Sequence, residues 1–130
     1  MRKFILDKVV RARIPDLMDE AGSVVEKREV HGPEAVRALL RKAIEELQEA
    51  IDAPPEELVG EFADAQTALK DAITASGIPA SAVDEQEARR AAKHGRFIPT
   101  IEVITVNVQD EDPMAEYYAS NPTRFPEVHE

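Results

Sequence analysis

Apolar residues recur every three or four positions in two long stretches of the chain. The first series is Val36, Leu40, Ile44, Leu47 and Ile51. This spacing predicts an amphipathic helix, and we take Leu47 as the middle of its core-facing stripe. We expect the helix to begin at His31-Gly32-Pro33, because proline suits a first helical turn, and to run to Asp52. Ala53-Pro54-Pro55 then ends it.

The second series follows these prolines directly. Its members are Leu58, Phe62, Ala65, Leu69 and Ile73. It predicts a helix from near Pro55 to Ser76-Gly77, where glycine supplies the stop. The same signals from proline and glycine predict a short helix over 14–22 and a third long helix between Pro79 and Gly95.

Two further segments, 24–30 and 98–108, are rich in Val, Ile and Thr and are predicted to be extended. We expect them to pair as a small two-stranded β ribbon. The predicted fold is therefore all-α, a helical hairpin or bundle with that ribbon attached, over a domain of residues 1–108.

An irregular, acidic tail over 109–130 is predicted from its three prolines and the run Asp110-Glu111-Asp112. Its aromatic residues Tyr117, Tyr118 and Phe125 indicate that it packs on this subunit or on a neighbour.

Composition and charge exclude several classes of function. The 130 residues carry a formal net charge of -10, which disfavours binding to a nucleic-acid polymer or to an anionic membrane. No cysteine is present, so thiolate metal sites and thiol nucleophiles are excluded. Neither a signal peptide nor a membrane span is recognisable, and we expect a soluble, cytoplasmic protein.

The most informative residues are acidic ones that face each other across the predicted hairpin. Taking about 100° per residue, Glu46 and Glu49 lie on one flank of the first long helix, and Glu61 and Asp64 lie on the matching flank of the second. Their distances from the turn agree within about 2 Å. Glu45 is expected on the opposite, wetter flank. The four carboxylates should therefore converge between the helices.

Carboxylates so close together repel one another unless a cation accompanies them. Ligation by oxygen alone, without His or Cys, favours Mg²⁺, with Mn²⁺ as the second candidate ion. Such a site suits phosphoryl chemistry. The competing interpretation is a solvated acidic helix face balanced by neighbouring Lys and Arg residues.

Three motifs, taken in order, resemble one known family. Glu45-Glu46-Leu47-Gln48-Glu49 with Glu61-Phe62-Ala63-Asp64 is similar to the EExxE…ExxD signature of the MazG-like all-α nucleoside triphosphate pyrophosphatases. The segment from Lys8 to Asp16 is similar to the KLVRDKIPE opening of their predicted house-cleaning branch, and Lys93 to Phe97 to its late RGGF element. Phosphoribosyl-ATP pyrophosphohydrolases belong to the same superfamily.

The resemblance implies hydrolysis of the α–β phosphoanhydride of a nucleoside triphosphate, to a monophosphate and pyrophosphate, with noncanonical or surplus nucleotides as substrates. It implies that Glu46, Glu49, Glu61 and Asp64 bind Mg²⁺ and that Glu45 supports them. Two positions depart from the family pattern. Ala12 replaces the usual Asp, and Arg96 replaces the second glycine of the late motif.

Basic residues are concentrated near the chain start and near the end of the third long helix. A triphosphate carries more negative charge than one Mg²⁺ neutralises, so cations from these segments are expected to bind its phosphates. The candidates are Lys8, Arg11, Arg13, Lys42, Lys93 and Arg96. Their other interpretation is solvated surface charge.

Two other functions stay open beside the Mg²⁺-dependent pyrophosphohydrolase. One is a binding or interaction protein that keeps the fold without turnover, and the other is a plain helical assembly subunit. A thin core of two helices and part of a third favours a homo-oligomer, most simply a homodimer. His31, His94 and His129 are predicted to be surface residues.

Overall fold

The computed structural model describes residues 1–129, and this part of the chain is helical. Its α-helices are α1 (Ile14–Glu20), α2 (Gly32–Asp52), α3 (Leu58–Ala75), α4 (Ala80–His94) and α5 (Pro113–Ala119). One 3₁₀ turn, Pro55–Glu57, leads into α3. The predicted positions of α1 to α4 are confirmed to within a few residues.

The helix ends are where proline and glycine predict them. Proline occupies the first turn of α1, α2 and α5. Gly77 and Gly95, just after α3 and α4, have φ angles of 77° and 82°. Only glycine adopts this left-handed conformation without steric cost, so these residues stop the helices.

The predicted β ribbon is wrong. Neither 24–30 nor 98–108 forms a strand in the structure of residues 1–129. Val, Ile and Thr favour strands mainly through packing on neighbouring strands, and an isolated pair is marginal in water. The tail is also not wholly irregular, because it contains α5. The Asp112 side chain caps that helix by accepting a hydrogen bond from the Met114 amide at 2.9 Å.

Helices α2 and α3 pack against each other as a hairpin. The buried apolar residues of this hairpin are all small: Ala43, Ala50, Ala65, Ala68 and Ala72. The prediction that Leu47 centres the core stripe is wrong, since 49% of its surface is exposed. Alanines at the contact positions allow two helices to pack closely, and the larger apolar side chains lie at neighbouring angular positions that stay partly in solvent.

The hairpin consequently has two unlike faces. Relative to the buried Ala43, Leu47 and Ile51 lie about 40° and 80° to one side, whereas Glu46 and Glu49 lie about 60° and 120° to the other. The apolar face comprises Leu40, Ile44, Leu47, Ile51, Phe62 and Leu69, all of which are exposed. The acidic face lies on the other side of α2.

The chain forms two compact units, one of residues 1–93 and one that begins at His94. The first contains α1 to α3 and nearly all of α4. In the second, Tyr117, Tyr118 and Phe125 pack on one another with ring centroids 5.0 to 5.6 Å apart. The predicted boundary after residue 108 stays a prediction, and Glu130, the last residue of the predicted tail, lies outside the described residues.

No helix within residues 1–129 has both the length and the hydropathy that crossing a membrane requires.

Candidate metal and phosphate site

Five carboxylates from α2 and α3 come together on the acidic face. They form two groups, Glu45 with Glu46 and Glu49, and Glu46 with Glu61 and Asp64. In each group, one oxygen from each residue lies within 4.8 Å of those from the other two. Glu46 belongs to both groups, so it is the centre of the cluster.

The position of Glu46 follows from the alanine contact. It lies close to the α3-facing edge of α2, where the small side chains bring α3 near, and only 6% of its surface is exposed. Glu49 is three residues farther along α2 and therefore lies on the same flank. Across the interface, Glu61 and Asp64 stand in the same relation on α3.

The expected position of Glu45, on the opposite flank, is wrong. Glu45 and Glu49 are four residues apart, which places them about 40° apart on one side of α2. The structure accordingly groups Glu45 with Glu46 and Glu49.

Glu61 is the carboxylate with the least compensation. Its Oε2 atom is buried, and no hydrogen-bond donor among the described residues reaches it. Burial, together with the nearby carboxyl groups of Glu46 and Glu49, raises the pKa of Glu61 to about 7. Two carboxyl groups can share a hydrogen bond only when one is protonated. A proton or a metal cation would satisfy this oxygen.

Lys42 neutralises part of the cluster from within α2. Its Nζ lies 3.0 Å from Glu46 Oε1 and 3.3 Å from Glu45 Oε2. Partial burial alone would lower the pKa of Lys42, but hydrogen bonds to Glu46 and Glu45 outweigh it and the net pKa is raised. On the other side, hydrogen bonding to Lys8 is the main reason why the pKa of Glu45 is lowered, and Lys42 adds to it.

The segment before α1 brings two more cations to the acidic face. Lys8 Nζ lies 3.0 Å from Glu45 Oε1 on α2, and Arg11 Nη2 lies 2.7 Å from Asp64 Oδ1 on α3. The same Arg11 nitrogen is 3.4 Å from the Thr67 hydroxyl. The basic segment therefore touches both helices of the hairpin, one residue in each carboxylate group.

Three other predicted phosphate ligands form no ion pair with these carboxylates among the described residues. Arg13 is exposed at the start of α1 and forms no ion pair with the described residues. Lys93 is exposed in the last turn of α4. Arg96 belongs to the second unit. Their role in phosphate binding stays a prediction.

An open depression of about 330 Å³ lies beside the turn between α2 and α3. Glu49 and Glu61 contribute to its wall, so it adjoins the carboxylate cluster. Sequence reasoning missed three other polar wall residues, Gln48, Asp52 and Glu57. Their proximity to Pro54-Pro55, which forces the turn, is the signal that could have found them.

The residues present suit a hard divalent cation. Every clustered group of potential ligands found in the described chain is made of carboxylates, and His is absent from both groups. Oxygen ligands at short range, with one buried oxygen lacking a donor, match the preferences of Mg²⁺ and Mn²⁺.

Comparisons with protein-family models, with curated proteins and with solved structures found no match.

Proposed function

We propose that this protein is a Mg²⁺-dependent nucleoside triphosphate pyrophosphohydrolase. The observation that carries the proposal is the double carboxylate group around Glu46, with the unsatisfied Glu61 oxygen inside it. The motif resemblance to the MazG-like pyrophosphatases supplies the reaction, cleavage between the α- and β-phosphates. Noncanonical or surplus nucleotides are the proposed substrates, and the cytoplasm is the proposed location.

In this proposal Glu46, Glu49, Glu61 and Asp64 hold the metal. A divalent ion there would polarise the phosphate and lower the pKa of a water molecule. Glu45 has a different role, because it accepts hydrogen bonds from Lys8 and Lys42 and so holds both lysines at the edge of the cluster. Lys42, Lys8 and Arg11 are the cations nearest to the proposed phosphate position, and they would stabilise the charge on the leaving pyrophosphate.

A panel of canonical and modified NTPs and dNTPs, incubated with the protein and Mg²⁺, tests the activity. We expect equimolar monophosphate and pyrophosphate from at least one of them. In water labelled with ¹⁸O, the label should enter the monophosphate, because attack on the α-phosphorus places the new oxygen there.

Glu46→Gln should reduce the rate at least 100-fold, since it removes a charge shared by both carboxylate groups. Glu85, an exposed residue of α4, provides the matched control. Glu85→Gln should retain full activity. Release of no pyrophosphate from any nucleotide would exclude the enzyme. Nucleotide binding without hydrolysis would instead favour the non-catalytic alternative suggested by Ala12 and Arg96.

We also propose that the protein works as a homodimer or a higher homo-oligomer. The hairpin core contains alanines and no fully buried large side chain, while 65% of Ile44, 75% of Ile51 and 57% of Phe62 are exposed. A continuous apolar face of this kind is costly in water and is normally covered. A second copy would cover it by two-fold symmetry and leave both acidic faces outside. Sedimentation velocity at several protein concentrations tests the assembly state.

A further inference from the structure

The basic segment before α1 pairs with one ligand of the proposed metal site, Asp64, and with the supporting carboxylate Glu45 beside that site. Lys8 is paired with Glu45 in the first carboxylate group, and Arg11 is paired with Asp64 in the second. Each group therefore has one member whose charge is already balanced by a residue from outside the hairpin. Glu61 has no such partner among the described residues.

The Lys8 and Arg11 ion pairs can exchange partners easily. The side chains of Lys8 and Arg11 are about half exposed, at 48% and 56%, so water can replace either partner at small cost. Residues 1–13 contain no helix or strand, and no backbone ladder fixes the segment in place. Lys42, in contrast, is 20% exposed and is held within α2 itself.

We propose that Arg11 is an internal counter-ion, which competes with the metal for Asp64, and that Arg11 and Lys8 both pass to the triphosphate when metal and nucleotide bind together. The proposal rests on the proposed function, because it needs a divalent cation in the cluster. Its consequence is positive coupling. Metal alone must displace Arg11 from Asp64, whereas a metal–triphosphate complex brings its own anion for Arg11 and Lys8 to bind.

This competition predicts opposite effects from one substitution. In Arg11→Gln, Asp64 loses its counter-ion, so free Mn²⁺ should bind about two- to fivefold more tightly, the range expected from an exposed ion pair. The Mn²⁺ complex of tripolyphosphate, an anion without a base, should bind several-fold more weakly because it loses a cationic partner. Lys8→Gln should likewise weaken binding of the tripolyphosphate complex, but should change free Mn²⁺ binding less than Arg11→Gln does, because Glu45 is not a proposed metal ligand.

Titration calorimetry on the full chain measures both affinities. Lys3→Gln is the matched control, since Lys3 lies in the same segment, is exposed and forms no ion pair with the described residues. It should change neither affinity beyond the small effect of net charge. Arg11→Lys keeps the charge and should bind free Mn²⁺ as the wild type does. Circular dichroism establishes that each variant keeps its helices.

The outcomes separate this proposal from the proposed function. If Mn²⁺ binds neither the wild type nor Arg11→Gln, the metal site is wrong and the counter-ion falls with it. If Mn²⁺ binds the wild type, Glu46→Gln abolishes the binding and Arg11→Gln leaves it unchanged or weaker, the site stands and the counter-ion is refuted. Tighter Mn²⁺ binding with weaker binding of the tripolyphosphate complex supports the counter-ion.

Discussion

At the residue scale, Glu61 makes the fold sensitive to pH. Its pKa is raised from the ordinary value of 4.5 to about 7, so the folded state holds the proton more tightly than the unfolded state does. The contribution of Glu61 to stability is therefore full below pH 4.5 and is lost as the pH rises through 7. Glu61→Gln stays neutral throughout, and its melting temperature should exceed that of the wild type by more at pH 8 than at pH 5.

Mg²⁺ should reverse the difference in melting temperature between Glu61→Gln and the wild type at pH 8. At pH 8 the metal supplies the positive charge that the lost proton no longer provides, so it should raise the melting temperature of the wild type. It should raise that of Glu61→Gln much less, because a ligand is missing. Thermal unfolding followed by circular dichroism with Mg²⁺ or with EDTA measures both effects, with Glu85→Gln as the control. If the melting temperatures of wild type and Glu61→Gln differ equally at both pH values, the raised pKa of Glu61 is contradicted.

At the element scale, the glycines at helix ends predict opposite effects of the same substitution. Gly77 has a left-handed φ of 77°, and an added Cβ meets no atom within 4 Å. Gly77→Ala should therefore destabilise the protein by about 1 kcal/mol through backbone strain alone. Gly60, inside α3, also has open space around it but no positive φ. Gly60→Ala should stabilise by roughly 0.5–1 kcal/mol. Urea unfolding at one fixed protein concentration measures both, and the same sign for both would refute the argument.

Helix positions could be predicted because proline, glycine and apolar period are local signals. Whether segments 24–30 and 98–108 pair as strands could not be predicted, because strand formation depends on a partner that no local pattern specifies. Helix α5 is absent from the predicted elements, although Asp112-Pro113 is a recognisable helix start, with a capping carboxylate followed by proline.

In the candidate site, too, the residues on regular helices could be predicted and those on the irregular segment could not. Spacing on α2 and α3 predicted that Glu46, Glu49, Glu61 and Asp64 converge, because helical geometry fixes their directions. The partners of Lys8 and Arg11 could not be predicted, since the segment that carries them has no regular period. The predicted core stripe is wrong for a related reason. Hydrophobicity favours the Leu and Ile stripe as the contact, whereas close packing of two helices favours the alanines.

At the scale of the whole molecule, the two faces of the hairpin lead to a prediction about assembly. We expect the wild type to sediment as a dimer or larger at micromolar concentration, with Ile44 in the interface. Ile44→Glu would place an unpaired charge there in each copy, at a cost of at least about 3 kcal/mol, which corresponds to a loss of affinity of more than 100-fold. The variant should sediment as a monomer and melt at a lower temperature, because its core retains only the alanine contact.

Ile104→Glu is the matched control, since Ile104 is 82% exposed, belongs to the second unit and lies outside the apolar face. It carries the same change in charge and should leave the assembly intact. Self-association must not depend on the carboxylates if the two faces act separately. Glu46→Gln should therefore remain associated while it loses metal binding. Ile44→Glu should lose association while it retains metal binding. If the wild type sediments as a monomer at all concentrations, the proposed interface is refuted. The proposed metal site would then still be tested by the activity and metal-binding assays.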